Sequence, residues 1–234
     1  LNSSGTIIRE YSPNPTFSAQ GVGSLAYAND LNQIFVIISS AINSSGTHMI
    51  GVFDAASSAQ VRTINLNPAL DSSGTPGFLS STFNSFTHIA YAKGTLCLTN
   101  VSGTSAIVSA KLIIDANTGI PITSFVNTTG ISNTNPVFSD QEHGKFFVTY
   151  GSNASQNVRC VTTTGGTLWI ACSTIGNIQG FGYDYTNDEF VETVASATNQ
   201  TVTISRRSGV DGTETLNATI TGAWDAFAGT LKMG

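Results

Sequence analysis

Short apolar runs that return in groups of four constrain the fold of this chain more than any other feature. The clearest runs are NQIFVII at 32–38, GTLCLTN at 94–100, GKFFVTY at 144–150 and GTLWIAC at 166–172. Helical spacing of apolar residues is nearly absent, and the abundance of Thr, Val and Ile favours extended structure. Short apolar runs bounded by Gly, Asn, Asp and Ser predict β-strands.

The predicted strands fall into four units when their flanking segments are aligned. The units cover 23–66, 86–126, 135–172 and 177–220, and a fifth unit in 222–234 stops after two strands' worth of residues. Four antiparallel strands in each unit of about 40 to 60 residues predict an all-β fold, a β-propeller-like array of four-stranded blades. A β-sandwich is the alternative. We number the units blades 1 to 4.

The domain organisation follows from this repeat. We expect residues 1–234 to form a single all-β repeat domain of about four blades plus a partial fifth. Residues 1–12 contain an additional strand, TIIREYS at 6–12, which we expect to close the ring or to pair with a neighbouring subunit. The incomplete blade leaves three alternatives: the chain is truncated, the ring is open, or a neighbouring subunit completes the blade. In the third, the uncovered strand edge offers its N–H and C=O groups to another chain.

The third strand of the first two units ends in an acidic residue followed by a tight turn. Asp54 and Asp115 occupy equivalent places, in VFDAASS and IIDANTG. A carboxylate at this place accepts the backbone N–H two residues later, and Gly119 permits the positive φ that a chain reversal needs. We therefore interpret both acids as turn caps and not as catalytic groups.

The stretches VFDAASSAQVRTINL at 52–66 and LIIDANTGIPITSF at 112–125 resemble the blades of quinoprotein-like and YVTN-type β-propellers. The resemblance implies a fold and no activity, because propellers host many functions. The pyrroloquinoline-quinone dehydrogenases of this group repeat a Trp docking position in their blades. Here only Trp169 and Trp224 occur, at places that the blades do not share. The resemblance therefore implies no quinone, and we expect no cofactor.

The composition limits the classes of partner. The chain holds 28 Ser, 31 Thr and 19 Asn among 234 residues, carries a net charge of −5 and is only 10% charged. No cluster of Lys or Arg exists, which argues against nucleic acid and anionic membrane surfaces as partners. The apolar runs are also far shorter than the roughly 20 residues that membrane insertion needs.

Glycosylation acceptors of the form Asn-x-Ser/Thr occur seven times, which is a mild excess over the number expected by chance for this composition. The sequence places Asn43, Asn127 and Asn153 in loops between strands, where a glycan would reach solvent. Besides Asn2, the candidate glycosylation sites are Asn43, Asn100, Asn127, Asn153, Asn199 and Asn217.

The cysteines have two interpretations. Cys160 and Cys172 lie on two strands joined by a turn at Gly165 and Gly166, and a slightly wide loop would bring them opposite each other. We expect a disulfide between them in an oxidising compartment, with Cys97 left over on a buried strand. The alternative is three buried thiols, since free Cys behaves as a small hydrophobe.

Acidic residues gather in the first turn of the third and fourth units. They are Asp140 and Glu142 with His143, and Asp184 and Asp188 with Glu189. The repeated layout indicates polar hairpin turns, and a cation site is the alternative. None of the common nucleophile, zinc or nucleotide motifs occurs, so we expect no catalytic residue, no metal and no enzymatic activity.

Aromatic residues suggest a further alternative. Tyr91, Tyr150, Tyr183, Tyr185 and Phe181 would form a sugar-stacking surface if they shared one exposed face. Alternation along the strands favours instead their insertion between blades.

Together these features favour a secreted structural or adhesive protein, a subunit of a filament, sheath or fibre at the cell surface. A surface rich in hydroxyls and amides and poor in charge is hydrated with little repulsion, so it packs against copies of itself or carries glycans. A propeller module that binds carbohydrate or protein is the alternative function, and a hydrolase or quinone-dependent enzyme is the third.

Overall fold

The computed structural model describes residues 10–11, 24–39, 48–66, 86–101, 109–127, 137–152, 155–172, 178–196 and 201–221. Within these ranges almost every residue lies in a strand or a tight turn, in agreement with the predicted runs. The strands are β1 Leu25–Ala28, β2 Gln33–Ser39, β3 His48–Asp54, β4 Gln60–Asn65, β5 Phe86–Ala92, β6 Thr95–Val101, β7 Ser109–Asp115, β8 Pro121–Asn127, β9 Val137–Asp140, β10 Lys145–Ser152, β11 Ser155–Thr162, β12 Thr167–Cys172, β13 Ile178–Asp184, β14 Glu189–Ser196, β15 Thr201–Ser208 and β16 Glu214–Thr221.

Each successive set of four strands forms one antiparallel sheet in chain order, so the prediction of four-stranded blades is confirmed. The first strand of each blade contacts the first strand of the next, from β1 to β5, β9 and β13. The sheets therefore follow one another face to face along their first strands. The sandwich alternative is wrong, because the strands divide into four separate sheets and not into two.

The first strands of blades 1 and 3 approach a common axis. The Gln141 side chain, in the turn after β9, donates a hydrogen bond to the Tyr27 carbonyl (2.6 Å) and accepts one from the Asn29 amide (3.0 Å). Blade 2 lies between these blades in the chain, so the bridge requires the array to curve around that axis.

The core lies between successive blades, as the alternating burial along each strand requires. One apolar cluster joins blades 1 and 2 and includes Phe35 and Tyr91, and another joins blades 2 and 3 around Cys97 and Phe146. A third joins blades 3 and 4 around Phe147. We call each of these contacts between successive blades a seam.

Every blade carries a register shift at the same place, near the end of its third strand. The shifts fall between Val52 and Phe53, Ile113 and Ile114, Cys160 and Val161, and Arg206 and Arg207. A bulge increases the local twist of a strand pair. Its recurrence at one position indicates that all four outer hairpins turn in the same way.

The N-terminal strand predicted in 1–12 is described only at Glu10 and Tyr11. The Tyr11 hydroxyl donates to the Ala55 carbonyl at 3.2 Å, and its ring meets that of Phe53 edge-on at 5.8 Å. Arg62 of β4 makes the equivalent contact with the Ala116 carbonyl of blade 2, at 2.8 Å. Tyr11 therefore contacts blade 1 as the outer strand of a preceding blade would.

The partial fifth unit at 222–234 lies outside the described residues. The part of the chain that the structure describes contains no helix long and apolar enough to cross a membrane.

Candidate functional site

A tyrosine and a carboxylate join blades 1 and 2 at the turn end of the first strands. The Tyr91 ring stacks on Phe35 with centroids 5.6 Å apart. Its hydroxyl donates to Asp30 Oδ2 at 3.0 Å and accepts a hydrogen bond from the Gly94 amide at 2.9 Å. Burial and the neighbouring Asp30 raise the pKa of Tyr91 to about 12 although the Gly94 amide lowers it, so the hydroxyl keeps its proton and acts as a donor.

An equivalent tyrosine and carboxylate join blades 3 and 4. The Tyr183 ring stacks on Phe147 with centroids 4.9 Å apart, and its hydroxyl donates to Asp140 Oδ2 at 3.1 Å and also contacts Asp188. The hairpin registers make Tyr183 equivalent to Tyr91, as the residue before the last in the first strand. Phe35 and Phe147 are equivalent in the same way, as the third residue of the second strand.

Blades 2 and 3 replace this pair with small residues. The register places Cys97 where Phe35 and Phe147 lie, and Ser139 where the tyrosines lie. Burial raises the pKa of the Cys97 thiol to about 12, so this thiol is inert at neutral pH.

The polar cluster of the third blade is centred on Asp140, which is buried. Its carboxylate accepts hydrogen bonds from the His143 amide at 3.0 Å and from Tyr183, and its Oδ2 lies 2.7 Å from His143 Nδ1. Glu142 is exposed and is not part of the cluster. The structure therefore brings Asp140 and His143 together with Asp188 of the fourth blade, instead of with Glu142.

Lys145 supplies positive charge to this cluster. Its Nζ lies 3.8 Å from Asp140 Oδ2 and 3.9 Å from Asp188 Oδ1, and it donates to the Gly209 carbonyl at 3.1 Å. Trp169 Nε1 donates to the same carbonyl at 3.2 Å. These contacts connect the turns at Asp140, Asp188 and Gly209, which belong to blades 3 and 4.

Asp140, His143 and Asp188 form the one group among the described residues whose ligand atoms are close enough to share a metal ion. Hard cations take six or more oxygen ligands, and zinc takes four nitrogen, sulfur or oxygen ligands. Only three groups converge here, and the Lys145 ammonium already lies near both carboxylates. The arrangement fits an ion-paired clamp between blades better than a metal centre.

The interpretation of the turn acids is confirmed. Asp115 Oδ1 accepts the amides of Asn117 (3.0 Å) and Thr118 (2.7 Å) and the Thr118 hydroxyl (2.8 Å). Although partial burial opposes ionisation, these bonds lower the pKa of Asp115. Asp54 accepts the equivalent bonds from Ala56 and Ser57, and Gly119 has the predicted positive φ of 76°.

The predicted disulfide is wrong in the structure. Cys160 is a buried free thiol opposite Trp169, whereas Cys172 pairs with Asn157, three residues earlier in β11. At about 3.3 Å per residue this offset separates the two positions by roughly 10 Å along the strand, which a disulfide does not span. Burial raises the pKa of Cys160 to about 12.

Each candidate glycosylation site lies either outside the described residues or in a strand. Asn43, Asn153 and Asn199 lie outside the described residues. Asn100 and Asn127 lie within β6 and β8. The expectation that Asn127 lies in a loop is therefore wrong.

Asn217 is the remaining acceptor. It lies in the exposed strand β16, where its Nδ2 donates to Glu214 Oε1 at 3.0 Å. Glycan attachment at any of these positions stays a prediction.

The predicted aromatic surface is not assembled on one exposed face. Tyr91 and Tyr183 lie in the seams, as strand alternation predicts, and only Tyr185 of the set has a side chain described as exposed. The side chains of Tyr150 and Phe181 are outside the described part.

Sequence reasoning missed a buried lysine in blade 2. Lys111 has no exposed surface and lies in the cross-strand row of Thr99 and His88. Burial lowers the pKa of Lys111 to about 7, and the pKa of His88 is lowered by burial and by Lys111. The sequence signal for this buried charge is a lysine inside an otherwise largely apolar strand, β7.

Comparison with solved structures relates this geometry to known folds. The chain is similar to Kuenenia stuttgartiensis hydrazine synthase (TM-score 0.59, 9% identity, 91% of this chain and 53% of that one). It is also similar to the Dos1 propeller (TM-score 0.56, 12% identity, 88% and 49%) and to Saccharomyces cerevisiae Sqt1 (0.50, 11%, 86% and 48%). The chain has a β-propeller fold. No protein-family model and no curated protein matches its sequence.

The chain spans about half the length of these solved structures. In a propeller each blade packs between two others, and among the described residues no sheet covers one face of blade 1. Leu25 and Tyr27 are 60% and 43% exposed, whereas the equivalent residues of blade 2, Ile89 and Tyr91, are 4% and 1% exposed. We call Leu25 and Tyr27 the open face of blade 1.

Proposed function

We propose that this chain is a structural propeller module that associates with a second copy of itself through the open face of blade 1. The propeller fold supports a binding or scaffold role in general. The observation that carries the specific proposal is the exposure of Leu25 and Tyr27 at positions where blade 2 packs against its neighbour. These side chains are 60% and 43% exposed, so burying the remainder contributes about half of the roughly 1.5–3 kcal/mol that full burial of a large apolar side chain gives.

The second copy is the occupant that the repeat favours. A surface built to receive a blade is best matched by another blade of the same kind, and blade 4 offers one. On docking, its outer strand β16 takes the position beside the Ala55 carbonyl that Tyr11 occupies within one chain, so Tyr11 is displaced from it. A contact between blade 1 of one copy and blade 4 of the next is heterologous, so it forms a ring if the rotation closes and a filament if it does not.

An extracellular surface role is part of this proposal. The support is the composition, with Ser, Thr and Asn making up one third of the chain and charged residues only 10%. Such a surface is hydrated yet repels copies of itself weakly.

Light scattering on the purified full chain, over a wide concentration range, tests the association. We expect dimers or longer assemblies, because the mass of a self-associating protein rises with concentration. Leu25→Ser and Tyr27→Ser are expected to shift the population towards monomer while circular dichroism stays unchanged.

Val210→Ser is the matched control. Val210 is an exposed apolar residue of the turn between β15 and β16, away from the open face. A wild-type chain that stays monomeric, or an assembly that Leu25→Ser and Tyr27→Ser leave as intact as Val210→Ser does, would overturn the proposal.

A further inference from the structure

The two seams that contain a tyrosine show which contacts the first strand of a blade makes with the preceding blade. In each, the ring lies on the third residue of the preceding blade's second strand. In each, the hydroxyl donates to a carboxylate in the first hairpin of that preceding blade, Asp30 or Asp140. A seam therefore needs a tyrosine, an apolar platform and an acid.

In blade 1, Tyr27 occupies the position of the tyrosine in this arrangement. It is equivalent to Tyr91 and Tyr183 by register. Its hydroxyl lies 3.1 Å from Asn32 Oδ1, as the Tyr183 hydroxyl lies beside Asp188 at the equivalent turn position. An amide both donates and accepts, so Asn32 can instead donate to this oxygen and leave the hydroxyl proton for an acid.

Blade 4 carries the matching acid and platform. Asp184 ends β13 as Asp140 ends β9, and Val191 is the third residue of β14 as Phe147 is of β10. Asp184 Oδ1 accepts the Thr186 and Asn187 amides, and Oδ2 accepts Asn187 Nδ2 at 2.8 Å. A carboxylate has about four acceptor sites, so one more hydrogen bond is available.

The surface beside Asp184 is also open. Gly182 pairs with Val191, and a Cβ added at Gly182 would meet no atom within 4 Å. The equivalent residues Ala26 and Ala90 are buried by the following blade. The outward surface of blade 4 therefore has room where blades 1 and 2 receive a neighbour.

We infer that Tyr27 of one copy packs on Val191 of the next copy and donates its hydroxyl to that copy's Asp184. This inference rests on the proposed self-association and specifies its contacts. In this contact Gly182 leaves space for the incoming strand. Arg206, 3.7 Å from Asp184 Oδ2, balances the negative charge of Asp184.

A double-mutant cycle in the full chain tests the hydroxyl–carboxylate contact. Tyr27→Phe and Asp184→Asn are each expected to raise the dissociation constant of the assembly about tenfold to a hundredfold, the effect of a lost hydrogen bond to a charged group. The double variant is expected to weaken association no further than either single variant does. Strictly additive effects of the two variants would overturn the inference.

Cross-linking separates this inference from the proposed function. A mixture of Tyr27→Cys and Asp184→Cys chains is expected to be cross-linked by a flexible bismaleimide, and a mixture of Tyr27→Cys and Val210→Cys chains is not. A spacer is needed because a tyrosine hydroxyl bonded to an aspartate holds the two Cα atoms too far apart for a disulfide. If the wild type assembles and Leu25→Ser dissociates it, but the first mixture does not cross-link above the second, self-association stands and these contacts are wrong. If the wild type is monomeric, both fail.

Discussion

Replacing Gly119 with alanine tests whether blade 2 is pressed against blade 1 as closely as the seam requires. Gly119 has a φ of 76° in the turn between β7 and β8. An alanine in this left-handed region costs roughly 1–2 kcal/mol. An added Cβ would also overlap Ile64 Cγ2 in β4 of blade 1. Overpacking of this kind costs about 1–3 kcal/mol more, so the expected loss of unfolding free energy is about 2–5 kcal/mol.

Gly94→Ala is the matched control. Gly94 has a φ of 77° and no atom within 4 Å of an added Cβ, so its substitution carries only the backbone cost of roughly 1–2 kcal/mol. Urea unfolding followed by far-ultraviolet circular dichroism compares the two variants. The difference in their free energies of unfolding isolates the contact between blades.

A second background makes the comparison more specific. Ile64→Ala removes the methyl group that the new Cβ would meet, so Gly119→Ala is expected to cost less in that background, close to the cost of Gly94→Ala. Equal losses for Gly119→Ala and Gly94→Ala in the otherwise wild-type chain would refute the proposed close contact between these blades.

Three further outcomes follow from the buried polar groups. Lys111→Met is expected to stabilise the chain by about 1–3 kcal/mol at pH 7, because burial lowers the pKa of Lys111 to about 7 and the unfolded chain binds its proton more tightly. That gain shrinks as the pH rises from 7 to 10, and urea titrations that find it constant would contradict this account. Asp140→Asn is expected to cost about 2–4 kcal/mol of unfolding free energy, since it weakens the clamp around Lys145, whereas exposed Glu142→Gln stays within about 0.5 kcal/mol. Cys97 and Cys160 are expected to react with a thiol reagent only after unfolding, because both are buried with a pKa raised to about 12; peptide mapping that finds a Cys160–Cys172 disulfide would contradict the register of β11 and β12.

The strands could be predicted because their signals are local. An apolar run and the turn residues beside it lie within a few positions of each other, so β2, β6 and β10 follow from sequence with small errors at their ends. The turns capped by Asp54 and Asp115 are local in the same sense, since the carboxylate bonds amides two and three residues later.

The seams could not be predicted because they join residues far apart in the chain. Tyr183 meets Asp140 across 43 positions, and Tyr91 meets Asp30 across 61. Composition contains no signal for such pairs. Their recurrence at equivalent strand positions becomes visible only when the registers are known.

The disulfide prediction failed for a different reason, the placement of one turn. The sequence suggested a loop centred on Gly165 and Gly166. In the structure the Thr162 amide bonds the Gly166 carbonyl, which centres the turn nearer Thr164. Each residue of turn displacement changes the pairing by two, and the register shift between Cys160 and Val161 changes it by one in the other direction. Together they pair Cys160 with Trp169 instead of Cys172.

The residue on which each tyrosine packs differs between the seams. This difference predicts a variant with a lower dissociation constant for the assembly. Two seams within the chain stack Phe on Tyr, and the seam between blades 2 and 3 has Cys97 and Ser139 at those positions. The inferred contact between copies has Tyr27 on Val191 and is therefore only half aromatic. Val191→Phe completes the pair, and an aromatic pair contributes about 0.5–1.5 kcal/mol beyond its buried area, so the dissociation constant is expected to fall roughly twofold to tenfold. Because Tyr27→Leu removes the other ring, Val191→Phe should give a smaller gain in that background. Light scattering that finds the same gain with and without the Tyr27 ring would place the new phenylalanine against some other surface.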